Sequence, residues 1–274
     1  MQTATQKTKW RLFVLALSMT LSSFTWAQQP AQKSHPTVYT VYDNFVGKFI
    51  NPSKWNSQYQ CDPGSAECVR EIVNGRLRLR IRAYGATSTS VGNQFGVSEL
   101  YLTASGATDI ATAAVIGSTS AQGCLTNSGE GAHGQALLFG AFFNGGGGTA
   151  ADDVQAFLQL DRYSTDTPGV VPVGGFLFYQ GQFFGNVQVG QVNVGERVIV
   201  ELVWDRPNHR FIARLIRPSF NTIAEQSMPY TIPDTVPAVA PFKALSARAF
   251  APNCGGTQTF ADMELFVDNV SIGQ

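Results

Sequence analysis

The sequence predicts an all-β fold, a single antiparallel β-sandwich, and three observations predict it. Of 274 residues, 27 are Gly and 19 are Phe, while only 14% are charged; that profile favours packed strands and tight turns over disorder or a long helical bundle. Short segments that alternate apolar and polar residues recur along the chain, separated by Gly, Asn, Pro and Asp clusters, which is the pattern of a sandwich or barrel. No helical period of about 10–15 residues interrupts the series, so a doubly wound α/β fold is excluded. Basic and acidic residues both number 19, so the basic surplus that a nucleic-acid binder needs is missing.

Residues 1–27 read as an export signal. Lys7, Lys9 and Arg11 form a basic start, Leu12 to Leu17 with Met19 form a short apolar stretch, and Thr25-Trp26-Ala27 places small residues at −3 and −1 before Gln28. The apolar stretch is too short and too interrupted by Ser and Thr for a durable membrane span; an uncleaved N-terminal anchor is the alternative. Cleavage leaves 16 basic and 19 acidic residues, a net charge of −3, and the mature chain is expected outside the cytoplasm, secreted or periplasmic. Residues 28–37 read as a flexible polar leader, and residues 38–274 as the β-sandwich domain.

The expected strands are Val38–Phe45, Arg76–Tyr84, Phe95–Ala104, Ala111–Ser118, Ala136–Phe143, Val154–Tyr163, Gly174–Phe184, Val187–Val194, Arg197–Asp205, Arg210–Arg217, Lys243–Phe250 and Met263–Ile272. Alternation sorts their faces. Arg76, Arg78, Arg80 and Arg82 share one face of their strand, opposite Leu77, Leu79, Ile81 and Ala83. Val154, Ala156, Leu158 and Leu160 face the core, and Gln155, Phe157, Gln159, Asp161 and Tyr163 face away from it. The strand around Trp204 is apolar on both faces and is expected to be central. The run Gly145–Gly148 lacks a following Lys-Ser/Thr and reads as a mobile hairpin tip, not a phosphate cradle.

Four cysteines, Cys61, Cys68, Cys124 and Cys254, all lie in the mature chain, and an even count in an exported protein reads as two disulfides. Three pairings are possible. The short gap holding Asp62-Pro63-Gly64 favours Cys61 with Cys68, leaving Cys124 for Cys254. A zinc site fails on spacing, because there is no CxxC pair and no nearby His.

Two ends of the chain carry a resemblance. Asp43-Asn44-Phe45 with Asn51-Pro52-Ser53-Lys54-Trp55, and Leu265-Phe266-Val267-Asp268-Asn269-Val270, resemble the opening and closing strands of secreted concanavalin A-like lectin/glucanase jelly rolls. Phe95-Gly96-Val97-Ser98-Glu99-Leu100 is similar to a strand of family 16 glycoside hydrolases. The resemblance implies a jelly-roll sandwich, paired chain ends, and a structural calcium near those ends, for which Asp43 and Asp268 are the matching acids. It also implies a catalytic strand of the form Glu-x-Asp-x-(x)-Glu. The best positional match runs from Asp152 to Asp161, and it offers Gln155, Phe157, Gln159 and Asp161 where the acids would be needed. Glutamine cannot act as a proton donor or carboxylate nucleophile, so that chemistry is expected to be absent. No other cofactor is implied.

Function is therefore expected in binding. The polar and aromatic face of Gln155, Phe157, Gln159, Asp161 and Tyr163, joined by Tyr101 and Tyr179 and by Glu99, is the candidate site for a polysaccharide or cell-surface glycan, since flat rings stack on sugars while amides and acids take their hydroxyls. An enzyme, a glycoside hydrolase or polysaccharide lyase with a rearranged site, would use Glu99 and Asp161. A structural or adhesive protein would use the aromatic hairpins at Phe142, Phe143, Phe183 and Phe184. The arginine stripe reads either as a grip for acidic polysaccharide or as a solvated face with counter-charges. His133 and His209 read as lone surface residues, and Asn269-Val270-Ser271 as a glycosylation sequon.

Overall fold

The computed structural model describes residues 39–56, 60–62, 66–88, 92–124, 131–218 and 222–273. The expected signal peptide and leader lie outside the described residues, and residues 36–274 form one compact unit. In chain order the strands are β1 (Thr40–Asp43), β2 (Trp55–Asn56), β3 (Gln60–Asp62), β4 (Ala66–Val73), β5 (Arg76–Tyr84), β6 (Asn93–Leu102), β7 (Asp109–Gln122), β8 (His133–Asn144), β9 (Asp153–Tyr163), β10 (Val170–Tyr179), β11 (Gln182–Asn193), β12 (Arg197–Asp205), β13 (Arg210–Arg217), β14 (Thr222–Pro229), β15 (Val236–Pro252) and β16 (Phe260–Gly273). They make two antiparallel sheets of eight strands. Sheet I has the order β14-β13-β12-β7-β16-β5-β4, with β1 also paired to β16; sheet II has the order β11-β10-β9-β8-β15-β6-β2, with β3 on β6. Chain start and chain end thus pair, as the resemblance implied.

The core lies between the sheets and is made by alternation. Leu77, Leu79 and Ile81 of β5 and Val154, Ala156, Leu158 and Leu160 of β9 are all buried, as expected for half-buried strands. One end of the core is aromatic. Trp204 stacks on Phe143 at 5.4 Å, Phe211 lies against Phe142 at 4.9 Å, and the Trp204 indole N–H donates to the Tyr230 hydroxyl at 2.8 Å. Phe142 and Phe143 are therefore interior residues, and an adhesive surface cannot use them.

Three expected strands, β5, β12 and β13, have the bounds read from the sequence. The expected segment Gly174–Phe184 is two strands, broken at Gln180-Gly181, where both residues have positive φ (48° and 78°) and make a tight hairpin turn. Sequence reading missed β4 and β14, the two edges of sheet I. Glu67, Arg70 and Glu71 on one and Glu225 and Pro229 on the other blur the strand pattern, and the same residues discourage edge-to-edge pairing. It also began β15 too late, because Pro237 and Pro241 read as breakers. The structure puts them in a bulged stretch whose Val239 and Ala240 N–H groups donate to the buried Asp153 carboxylate, each at 2.8 Å.

The glycine run is a built loop, not an open tip. Buried Asn144 accepts from Gly146 N–H (3.0 Å) and Gly148 N–H (3.1 Å) and donates to the Thr149 carbonyl and Asp153. A Cβ at Gly147 would stand 2.2 Å from the Asp152 carboxyl, so the loop requires glycine there.

Of the two expected disulfides, Cys124–Cys254 is present, with Cα atoms 5.7 Å apart. It joins the end of β7 in sheet I to the end of β15 in sheet II, and so staples the two layers. The other expected bridge involves Cys61, whose side chain lies outside the described residues. Among the described residues no helix is long and apolar enough to cross a membrane.

Candidate functional site

The outer face of sheet II is where the pattern of the sequence departs from that of an ordinary solvated face. Antiparallel register lines up residues on β9, β8, β15 and β6 as rows across the sheet. The outermost row is Tyr163, His133, Phe250 and Phe95, with ring centroids separated by 4.5, 4.4 and 4.7 Å. Six residues back along β9, about 20 Å away, lies a second aromatic row. There Phe157 stacks on Phe139 at 5.2 Å, and Phe242 bridges Phe139 and Tyr101 at 5.5 and 5.6 Å. Between the two runs a polar band: Asp161, Gln135 and Arg248 in one row, Gln159, Leu137, Ser246 and Glu99 in the next.

Each polar group in the band has a defined partner. Gln135 and Gln159 both donate their side-chain N–H to Asp161 Oδ2, at 3.1 and 2.6 Å. Asp161 is 9% exposed, and its Oδ1 is buried with no hydrogen bond among the described residues. Burial pushes the Asp161 carboxyl up from the usual carboxylate range, against the opposing pull of His133, the two amides and the Tyr163 hydroxyl. Glu99 is held differently. Its Oε2 accepts from Arg248 at 2.8 Å, its Oε1 from the Tyr101 hydroxyl, and Arg248 itself lies over the Phe139 ring at 4.9 Å. A groove of about 890 Å³ opens at the corner formed by β9, β10 and β11; Gln135, Gln159, Asp161, Phe176, Phe183 and Gln188 line it. Its size is that of a small-ligand site.

The residues expected at the site divide into two groups. Gln155, Phe157, Gln159, Asp161 and Tyr163 share the outer face of β9, and Tyr101 and Glu99 stand on the same face from β6. Tyr179 does not join them. It packs against the interior cluster, and its ring covers Gly145, because alternation along β10 puts it on the inner face with Val171, Val173 and Leu177. Glu99 and Asp161 do not come together either: their strands are three spacings apart, about 14 Å, whereas paired glycosidase carboxyls stand about 5–9.5 Å apart. His133, Phe250, Phe95, Gln135, Phe139, Phe242 and Arg248 belong to the same face, but their sequence segments name no partner strand. Only the register, which a single strand does not encode, assembles them.

The calcium pair is otherwise engaged. Asp43 Oδ1 accepts the Phe45 N–H at 3.0 Å, and Oδ2 the Trp55 indole N–H at 2.6 Å, with Lys54 3.7 Å away. Phe45, at φ 53°, stacks on Trp55 at 5.7 Å. That donor set does not fit a cation; it explains instead why an acid precedes this Phe and Trp. Asp268 pairs with Arg197 at 3.2 Å. Among the described residues no cluster of three His, Cys, Asp or Glu is placed to hold a metal. His209 is not a lone residue: its Nδ1 lies 3.2 Å from Asp234, to which the Tyr230 hydroxyl also donates at 2.6 Å.

The arginine stripe faces outward from sheet I. Arg78 pairs with Glu71 at 2.9 Å and with Glu264 at 2.7 Å, and Arg82 with Asp262 at 3.5 Å. Flanking strands β4 and β16 supply these acids, so Arg78 and Arg82 carry their own counter-charges.

The sequence matches no protein-family model and no curated protein. Among solved structures the chain is similar to Rv0315, an immunostimulatory antigen and pseudo beta-1,3-glucanase of Mycobacterium tuberculosis, at 12% identity and a TM-score of 0.46, covering 86% of this chain and 97% of that one. It is similar to the Rv0315 orthologue of Mycobacterium abscessus, a putative beta-glucanase, at 12% identity and a TM-score of 0.44, covering 86% and 98%. Lectin II from Ulex europaeus matches at 12% identity and a TM-score of 0.38, covering 78% and 97%.

Proposed function

We propose that this chain is an exported, non-catalytic glycan-binding protein that uses the outer face of sheet II for a polysaccharide or cell-surface glycan. The observation that supports this reading most is the alternation on one sheet face: an aromatic row, a band of amides and carboxyls, and a second aromatic row. Rings supply apolar platforms for the C–H faces of sugars, and the polar band supplies directed hydrogen bonds. The placement of the acids supports the non-catalytic reading. Asp161 and Glu99 stand on strands about 14 Å apart, and Glu99 is already neutralised by Arg248. Export is supported by the N-terminal signal pattern and by a disulfide, which persists in oxidising compartments.

The test runs a glycan array and a reducing-sugar release assay on the same polysaccharides, with chain beginning at Gln28. Binding without release is expected. Release that is lost in both Glu99→Gln and Asp161→Asn overturns the non-catalytic reading.

A further inference from the structure

We infer that the groove along β9, β10 and β11 holds a run of several sugar units laid parallel to the strands, with Phe183 and Tyr163 as stacking platforms at its two ends. This rests on the glycan-binding reading above and names the ligand class for it: an extended oligosaccharide segment of a polysaccharide, not a mono- or disaccharide.

The sequence of β10 makes the groove. By alternation its outer face carries Val170, Pro172, Gly174, Phe176 and Phe178. Gly174 pairs with Gln159 on β9 and with Gln188 on β11, so two long amides flank a position that has no side chain. A Cβ there would already stand 3.0 Å from the Phe176 ring. Phe176 pairs with Phe157, and Tyr163 lies six residues further along β9, about 20 Å away. Tyr163 lines one end of the groove and Phe176 and Phe183 line the other. The long axis therefore follows the strands, over a span that a disaccharide cannot bridge.

Ring geometry selects the two platforms. In the outermost row His133 lies 4.5 Å from Tyr163 at 29° and 4.4 Å from Phe250 at 17°. Near-parallel rings so close stand face to face, so the inner members of that row cover one another. Tyr163 ends the row at the groove and is 40% exposed. Phe183 meets Phe176, Phe178 and Phe157 edge-to-face at 5.9, 5.2 and 6.4 Å, which braces one side of its ring, and it is 66% exposed. Laying the C–H face of a sugar on such a ring removes apolar surface from water.

Amides fill the stretch between the platforms: Gln135, Gln159, Asn186 and Gln188 line it. A side-chain amide has two N–H donors and a carbonyl acceptor. Gln135 and Gln159 each give one N–H to Asp161, and Gln188 gives one to the Gly190 carbonyl. Those bonds hold the three amides in place and leave each a second N–H and its carbonyl oxygen. Sugar hydroxyls, which both donate and accept, match that set along the whole run.

The experiment is affinity electrophoresis on soluble β-1,3-glucan, galactomannan and xyloglucan, with competition by oligosaccharides of the bound polymer from the disaccharide to the hexasaccharide. The hexasaccharide is expected to compete at least about tenfold better than the disaccharide, and Phe183→Ala and Tyr163→Ala each to weaken polymer binding about tenfold. Phe183→Trp, which keeps a ring, is expected to retain binding. A flat size series overturns this inference and leaves the glycan-binding reading intact. Wild-type binding by both alanine variants does the same, as does loss of binding in folded Phe183→Trp. The size series uses wild type alone, so it decides the matter even if a variant does not fold. Binding to no glycan overturns both.

Discussion

The outer faces of the two sheets solve the same problem in opposite ways. On sheet I the arginines with acid partners are Arg78 with Glu71 and Glu264, Arg82 with Asp262, Arg197 with Asp268, Arg214 with Glu201 and Glu225, and Arg217 with Glu196. Among the described residues sheet II has one ion pair on its outer face, Arg248 with Glu99; rings, amides and the Asp161 carboxyl make up the rows around it. Ion pairs dominate the first face, and rings and amides the second.

The comparison is broken most severely by cutting what holds the faces together. Replacing Cys124 and Cys254 with Ser removes a link across 130 residues and is expected to cost about 4–5 kcal/mol in the loop-entropy picture. Chemical denaturation read by far-UV and aromatic signals should show both sheets losing structure in one earlier transition. Two separate transitions would show that the layers fold independently.

Next in size is a direct contrast between arginines. Arg248→Ala leaves the buried Glu99 carboxylate without its cation and is expected to cost about 3 kcal/mol. Arg78→Ala, in the more exposed stripe, is expected to cost about 1 kcal/mol or less. Equal costs in denaturant titrations would erase the distinction between the faces.

A pH series sharpens the comparison through the cation that breaks the rule. Lys243 is buried with no acid partner among the described residues; its ammonium donates to the Ser105 and Ala141 carbonyls at 2.9 and 2.8 Å and lies 4.1 Å from the Phe142 ring centroid. Burial lowers its pKa from 10.5 to about 7. Between those values the unfolded chain holds a proton that the folded chain has released, so this group's contribution to stability rises with pH across that window. Measured from pH 7 to pH 10, wild type should gain stability relative to Lys243→Met. A constant difference would mean that Lys243 folds with its ordinary pKa.

Much of this architecture is legible in the sequence, and the limits have physical causes. Alternation placed Leu77 to Ala83 in the core and Gln155 to Tyr163 on the outer face, because a half-buried strand writes its faces into every second residue. Edge strands β4 and β14 were hidden, since edges carry the charges and proline that strand patterns exclude. The site was half legible. One strand of it could be read, but Phe139, Phe250 and Arg248 join it only through register, which depends on turns and bulges far from the residues themselves. Asp43 and the Asn144 loop were misjudged for a related reason: what occupies a carboxylate or pins a glycine run is a partner distant in the chain or a backbone N–H, and neither is written as a motif.

The proposed function assigns recognition to the outer face of sheet II. The most direct measurement is affinity electrophoresis of Phe157→Ala and Arg78→Gln beside wild type, on a polysaccharide that wild type binds. Loss of a ring from a stacking platform is expected to weaken binding about tenfold, while loss of a matched surface arginine is expected to leave it unchanged. The reverse result, retained binding in Phe157→Ala and lost binding in Arg78→Gln, would move recognition to sheet I and contradict the account.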